Sequence, residues 1–161
     1  MAGWVAAGAK GAVRIVEASN IASKVKLTWK VDTFSGKILW PSDNYSRKQL
    51  RKVLGLTSSS THARHIMPLA FKGTDLVQRA AKSSNAFLMN EFLNGFPLPS
   101  SSHLTGHSTY NNKIQSILTT NNVAISNMSP DQAFTFLNGL IVHIDDLLTA
   151  NPSKIWKRYR I

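Results

Sequence analysis

Residues 62–68 read HARHIMP, residues 93–99 read LNGFPLP and residues 103–111 read HLTGHSTYN. These three segments hold four of the five histidines in the chain. His103 and His107 are four positions apart, a spacing that can bring two imidazole rings onto one divalent ion. Taken alone, the pair is more typical of surface histidines in a serine-rich loop. The choice between a metal-binding pair and surface histidines therefore depends on the neighbouring segments.

In this order, the three segments resemble the Ala-His-His nuclease family, a member of the His-Asn-His/endonuclease VII superfamily. That family has an Ala-His-His-(Ile/Val)-x-Pro segment, an Asn-Gly followed by Leu-Pro, and a Gly-(Ser)-His-Pro-x-Tyr-Asn segment. The resemblance covers about residues 60–118. It implies a ββα-metal finger, and we therefore expect an α+β fold in which this finger is embedded among helices.

The resemblance also implies a role for each matching residue. His65 would be the general base that deprotonates the attacking water, a task suited to a side chain that titrates near neutrality. Asn94 would hold the base-bearing loop through side-chain hydrogen bonds, although Asn-Gly is also a turn signal in any protein. His103 and His107 would bind one divalent ion, either Mg²⁺, Zn²⁺, Ni²⁺ or Mn²⁺, which stabilises the charge that develops on the phosphate.

Arg64 departs from the family pattern, because it stands where the family has the first histidine of its pair. That position supplies a metal ligand, and a guanidinium group cannot be one. His62 could replace it as a ligand, or two histidines with water and phosphate could suffice. Alternatively, Arg64 inactivates the site or contacts the scissile phosphate itself. We expect Arg64 to weaken metal binding and to leave a weak or inactive nuclease.

The charge of the chain indicates a polyanionic partner. Nineteen Lys and Arg residues oppose eight Asp and Glu residues, giving a net charge of +11, and each phosphate contacted by a cation releases condensed counterions. A merely soluble basic protein or an anionic-lipid binder would have the same balance. The candidate nucleic-acid contacts are Arg47, Lys48, Arg51, Lys52, Lys113, Lys157 and Arg158.

The chain contains no cysteine, which excludes disulfides, thiolate zinc sites and a cysteine nucleophile. Its apolar runs are shorter than a bilayer requires, so no membrane span is expected.

The domain organisation follows from local signals. Residues 1–23 are predicted as a linker or N-terminal helix, and residues 24–161 as a single nuclease domain. Alternating apolar residues over 25–31 and a turn before Ile38 predict an additional N-terminal β-hairpin. Ser46 and Gln49 resemble a capping box that opens a short helix. Further helices are predicted over about 108–118, with Ile114, Ile117 and Leu118 buried, and over about 130–150, after the cap formed by residues 129–132.

The sequence therefore predicts a metal-dependent endonuclease toxin that hydrolyses DNA with little sequence specificity. The resemblance implies the C-terminal effector domain of a polymorphic or type VI toxin, which is secreted or delivered and acts in the cytoplasm of the target cell. It also implies a cognate immunity protein, and the charge of the chain predicts that this partner is acidic. Two alternatives stay open: an RNase on the same scaffold, and a catalytically lapsed nucleic-acid-binding domain.

Overall fold

The structure is a computed structural model that describes residues 30–103 and 107–150. The predicted linker or helix over residues 1–23 lies outside the described residues. So do the candidate cations Lys157 and Arg158 and most of the first predicted hairpin strand.

The described residues form an α+β fold, as predicted. The helices are α1 (Asp43–Val53), α2 (Asp75–Ala81), α3 (Ser100–His103), α4 (His107–Thr120), α5 (Asn122–Asn127) and α6 (Pro130–Ala150). The strands are β1 (Lys30–Val31), β2 (Ile38–Leu39), β3 (Thr61–His65) and β4 (Gly95–Pro99). Single 3₁₀ turns span Leu69–Phe71 and Phe92–Asn94.

A short antiparallel pair lies at the position of the predicted N-terminal hairpin. In this pair Lys30 is opposite Leu39 and Val31 is opposite Ile38. The backbone N–H of Ile38 donates to Oε1 of Gln78 on α2 at 2.8 Å, and its carbonyl accepts from Nε2 of the same side chain at 3.1 Å. The hairpin is therefore attached to the helical part of the domain through one glutamine.

Helix α1 begins earlier than the sequence indicated, and the predicted capping box at Ser46 is wrong. The N-cap is Ser42, whose hydroxyl accepts from the backbone N–H of Tyr45. Ser46 lies in the second turn and is fully buried, as is Leu50 one turn later. A serine on the buried face of a helix resembles a cap in sequence, but here its side chain faces the interior.

Strands β3 and β4 form the antiparallel pair on which the candidate site is built. Thr61 is opposite Pro99 and His65 is opposite Gly95, so residues 66–94 are inserted between the two strands. A Cβ atom on Gly95 would lie 2.9 Å from side-chain atoms of both Leu50 and Leu54. The absence of a side chain at Gly95 therefore lets α1 pack closely on the end of the strand pair that carries His65.

Asn94-Gly95 does not form the tight hairpin turn that this dipeptide often makes. Asn94 ends a 3₁₀ turn, and Gly95 is extended at φ −108° and opens β4. The long insertion between the strands leaves no two-residue connection for such a turn.

The core is built mainly from helices. Helix α2 packs along α6, and α4 buries Tyr110, Ile114 and Leu118. Ile117, which was predicted in the buried stripe, is only half-buried, and Tyr110 takes its place. His143 on α6 is exposed, as its position relative to the apolar face predicts.

Helix α6 begins at the predicted cap. The side chains of Ser129 and Gln132 bond reciprocally to each other's backbone N–H groups at 3.2 and 2.8 Å. By length and composition α6 could cross a membrane, with a mean hydropathy of 1.2 in its most apolar window. The core helix of a globular protein meets the same test, and 44% of that window is buried within the domain.

Candidate active site and nucleic-acid cleft

A cleft of about 650 Å³ lies where α1, β3 and the start of α4 meet. Its polar lining residues are Asp43, Arg47, Lys48, Arg51, His62, Arg64, His65, His107 and Asn111. The one carboxylate among them, on Asp43, accepts from the ammonium group of Lys72 at 2.7 Å. The cleft is therefore strongly basic.

His65 is the last residue of β3, and its side chain is buried, with 6% of the residue exposed. Its Nε2 lies 3.0 Å from Oδ1 of Asn90. Because an amide oxygen only accepts hydrogen bonds, Nε2 carries the proton and Nδ1 keeps a lone pair. Nδ1 has no hydrogen bond to any residue in the described ranges. This tautomer is the one that a base acting through Nδ1 requires.

The environment of His65 keeps the imidazole neutral. The pKa of His65 is lowered to about 4, mainly by burial and also by the charges of Arg47 and Arg64. The hydrogen bond that His65 donates to Asn90 and the charge of Asp43 act in the opposite direction but do not compensate. At neutral pH the ring is therefore unprotonated and able to accept a proton, but the expectation that it titrates near neutrality is wrong, because a buried ring with this pKa is a weaker base.

Asn94 connects the two chain segments that flank β3 and β4. Its side chain is fully buried, and Oδ1 accepts from the backbone N–H of Met67 at 2.6 Å. Its Nδ2 donates to the carbonyls of Met67 at 3.1 Å and Met89 at 2.9 Å. These three bonds fix the backbone immediately after His65, and Asn94 lies among buried residues rather than on the cleft wall.

Tyr110 on α4 is hydrogen-bonded to the backbone that follows His65. The ring is buried, its hydroxyl donates to the carbonyl of Ile66, and burial raises its pKa. The guanidinium carbon of Arg64 lies 5.6 Å from the ring centroid, within the range of a cation–π contact. Tyr110 thus supports both the backbone beside His65 and the Arg64 side chain.

The guanidinium group of Arg64 is hydrogen-bonded to His107, the first residue of α4. Its Nη1 lies 2.6 Å from Nδ1 and 3.3 Å from Nε2 of His107. Arginine only donates, and the shorter distance makes Nδ1 the acceptor, so the ring carries its proton on Nε2. Neither ring nitrogen then has a lone pair for a metal ion. As arranged, His107 and Arg64 do not fit a divalent cation, although imidazole is a suitable ligand type.

The other two candidate ligands are placed differently. His62 is half-buried in β3, opposite Leu98, and it lines the cleft on the same face of the strand as Arg64. His103 ends α3, and its side chain lies outside the described structure. Among the described side chains, no group of three or more His, Cys, Asp or Glu residues could hold a metal ion.

The candidate nucleic-acid contacts separate into three kinds. Arg47 and Lys48 are exposed and line the cleft. Arg51 also lines it, but its guanidinium group donates to the carbonyls of Thr61, at 2.6 Å, and Ser58, so it fixes α1 against the start of β3. Two further candidates, Lys52 and Lys113, do not line the cleft.

Comparison with known proteins identifies no relative. No protein-family model, no curated protein and no solved structure matches the chain. The functional proposal therefore rests on the residues of the cleft.

Three residues of the site carried no assigned role in the sequence. Tyr110 and Asn111 lie within residues 103–111. Their position shortly after His107 in that segment was the sequence feature that could have indicated a role in the site. Asn111 lines the cleft, and its buried Oδ1 has no hydrogen-bond partner within the described residues. Asn90 gave no signal, because its role depends on a contact with His65, 25 positions away.

Proposed function

We propose that this chain is a nuclease of the ββα-metal type that hydrolyses phosphodiester bonds in DNA with little sequence preference. The observation that carries the proposal is His65: a buried, neutral imidazole with Nδ1 unbonded in the described structure, beside two guanidinium groups in a basic cleft. A neutral base beside cations suits the deprotonation of water next to a bound phosphate.

The arrangement of the elements supports the proposal. Strand β3 carries His65 at its end, Asn94 directly precedes β4, and α4 begins at His107. Two antiparallel strands followed by a helix are what a ββα finger requires, with α2 and its flanking loops inserted between the strands. The hydrogen bonds of Asn94 to Met67 and Met89 suit a positioning role for this residue.

The chemistry can be written for the residues of this chain. His65 Nδ1 takes a proton from water as the water oxygen forms its bond to phosphorus. The P–O ester bond breaks, and the departing oxygen takes a proton from solvent. Arg47 and Arg64 offset the negative charge that accumulates on the phosphate oxygens. A divalent ion in such nucleases stabilises the leaving oxygen, but the contact of Arg64 with His107 opposes its binding here. We therefore expect weak activity from the unaltered chain.

The biological setting follows from the same proposal. The chain would be the toxin end of a larger secreted bacterial protein that acts on DNA in the cytoplasm of a target cell. A net charge of +11 favours an immunity protein that covers the cleft with acidic side chains.

A second function is favoured by one observation, the bond between Arg64 and His107. If that bond persists when nucleic acid binds, the domain is a nucleic-acid-binding module without catalysis.

Cleavage assays separate these functions. Supercoiled plasmid and total RNA are incubated with the protein in EDTA and with added Mg²⁺, Mn²⁺, Ni²⁺ or Zn²⁺. We expect weak, metal-stimulated plasmid nicking that is lost in His65→Ala and retained in His143→Ala, because His143 is exposed on α6 outside the cleft. Cleavage of RNA alone would identify an RNase, and no cleavage under any condition would favour the binding module.

A further inference from the structure

On two walls of the cleft, three cationic side chains line the same space as His65. Arg64 precedes it on β3, and Arg47 and Lys48 lie on α1. Arg47 and Arg64 are close enough to His65 for their charges to act on its ring. Within the described ranges, Arg47 and Lys48 make no hydrogen bond or ion pair, and both are exposed.

The positive charge of this cluster is only partly offset inside the cleft. Asp43, its one carboxylate among the described lining residues, is paired with Lys72. Cations gathered in a cleft raise the local electrostatic potential and attract anions. The cluster therefore favours an anionic ligand directly beside His65.

Arg64 is held in position before any ligand binds. Its guanidinium group lies over Tyr110 and donates to His107, and burial lowers its pKa. A guanidinium group gives charge-assisted hydrogen bonds to phosphate oxygens. A partly desolvated, pre-positioned arginine loses little conformational freedom when it binds such a ligand.

We propose that Arg64 and Arg47 together bind one backbone phosphate of DNA beside His65, so that the cleft binds DNA without a divalent ion. The choice of DNA rests on the proposed function, whereas the phosphate site rests on the arginine side chains and the cleft. In this chain, the guanidinium group of Arg64 supplies the positive charge that a metal supplies at the corresponding position of the resembled family.

The test is DNA binding measured in EDTA, by fluorescence anisotropy with a short labelled duplex at several salt concentrations. Arg47→Ala removes an exposed cation and leaves the core intact. Arg64→Met removes the charge and keeps an apolar stem over Tyr110. Lys82→Ala is the control, because it removes one exposed charge outside the cleft.

We expect the unaltered protein to bind in EDTA. Arg47→Ala and Arg64→Met should each weaken binding on the order of tenfold, and each should lower the salt slope by about one. Lys82→Ala should have a much smaller effect. Binding that requires a divalent ion, or wild-type affinity in both arginine variants, would overturn the inference. Because cleavage is not measured, failure of the nuclease proposal leaves this result unaffected.

Discussion

The guanidinium group of Arg64 donates a hydrogen bond to Nδ1 of His107 across 2.6 Å, joining two residues that are 43 positions apart in the chain. The bond ties β3 to the first residue of α4 and consumes the acceptor nitrogen of the histidine. A divalent ion at His107 would have to displace a cation, and the repulsion between unit charges a few ångströms apart is on the order of a few kcal/mol at an effective dielectric near 20.

Arg64→His should tighten metal binding and raise the rate of plasmid cleavage. The substitution removes the opposing charge, frees Nδ1 of His107 and adds a neutral nitrogen donor. We expect a gain in affinity for Ni²⁺ or Zn²⁺ of roughly tenfold or more by titration calorimetry. The double variant Arg64→His/His107→Ala should lose most of the gain. Equal metal affinities for Arg64→His and the unaltered chain would show that Arg64 does not control the site.

His65→Ala should lower the cleavage rate by about 10²–10⁴-fold, because a general base is lost. DNA affinity in EDTA should stay nearly unchanged, and circular dichroism should confirm that the variant is folded. His143→Ala provides the matched control on an exposed histidine. Full activity of a folded His65→Ala protein at neutral pH would refute the assignment of His65 as the base.

Asn90→Asp should raise the pKa of His65 from about 4 by about one to three pH units, because a carboxylate at hydrogen-bond distance favours the imidazolium ion. The shift is measured by an NMR pH titration of the His65 ring. Asn112→Asp adds the same charge at an exposed position on α4 and should move this pKa far less. Equal shifts in the two variants would mean that Asn90 does not contact His65 in solution.

His65 should also make folding sensitive to acid. Its pKa is about 4 in the folded state and about 6.5 in the unfolded chain. Between these values the unfolded state binds the extra proton, so stability is fully present above about pH 6.5 and decreases down to about pH 4. The pKa difference corresponds to a loss on the order of 3 kcal/mol. Urea unfolding at several pH values checks this, and His65→Gln should flatten the profile in this window.

Asn94→Ala should destabilise the fold by about 3 kcal/mol or more, because it leaves buried groups of Met67 and Met89 without their hydrogen-bond partner. Asn112→Ala on the exposed side of α4 should change the free energy of unfolding by no more than about 0.5 kcal/mol. Urea unfolding measures both. Equal free energies of unfolding for the two variants would show that the side-chain hydrogen bonds of Asn94 do not hold this backbone in place.

The sequence predicted those features that depend on neighbouring residues. The cap, proline and apolar spacing after Ser129 predicted a helix over about 130–150, and α6 spans Pro130–Ala150. The same capping rule failed at Ser46, because Ser42 provides an equally suitable hydroxyl one turn earlier and caps the helix. Ser46 is instead buried in the second turn of α1. Local patterns indicate that a helix begins, but packing decides which of two similar residues starts it.

The basic charge of the chain, the lack of cysteine and the residue types available to the cleft follow from the order of amino acids alone. The proton positions of His65 and His107 follow from the folded arrangement. The proton position of His65 depends on Asn90, its low pKa depends on burial, and the acceptor role of His107 depends on Arg64. These properties arise from contacts between residues 25 and 43 positions apart. Hydrogen bonding and desolvation act over a few ångströms in space, and no local pattern specifies which distant side chains come that close.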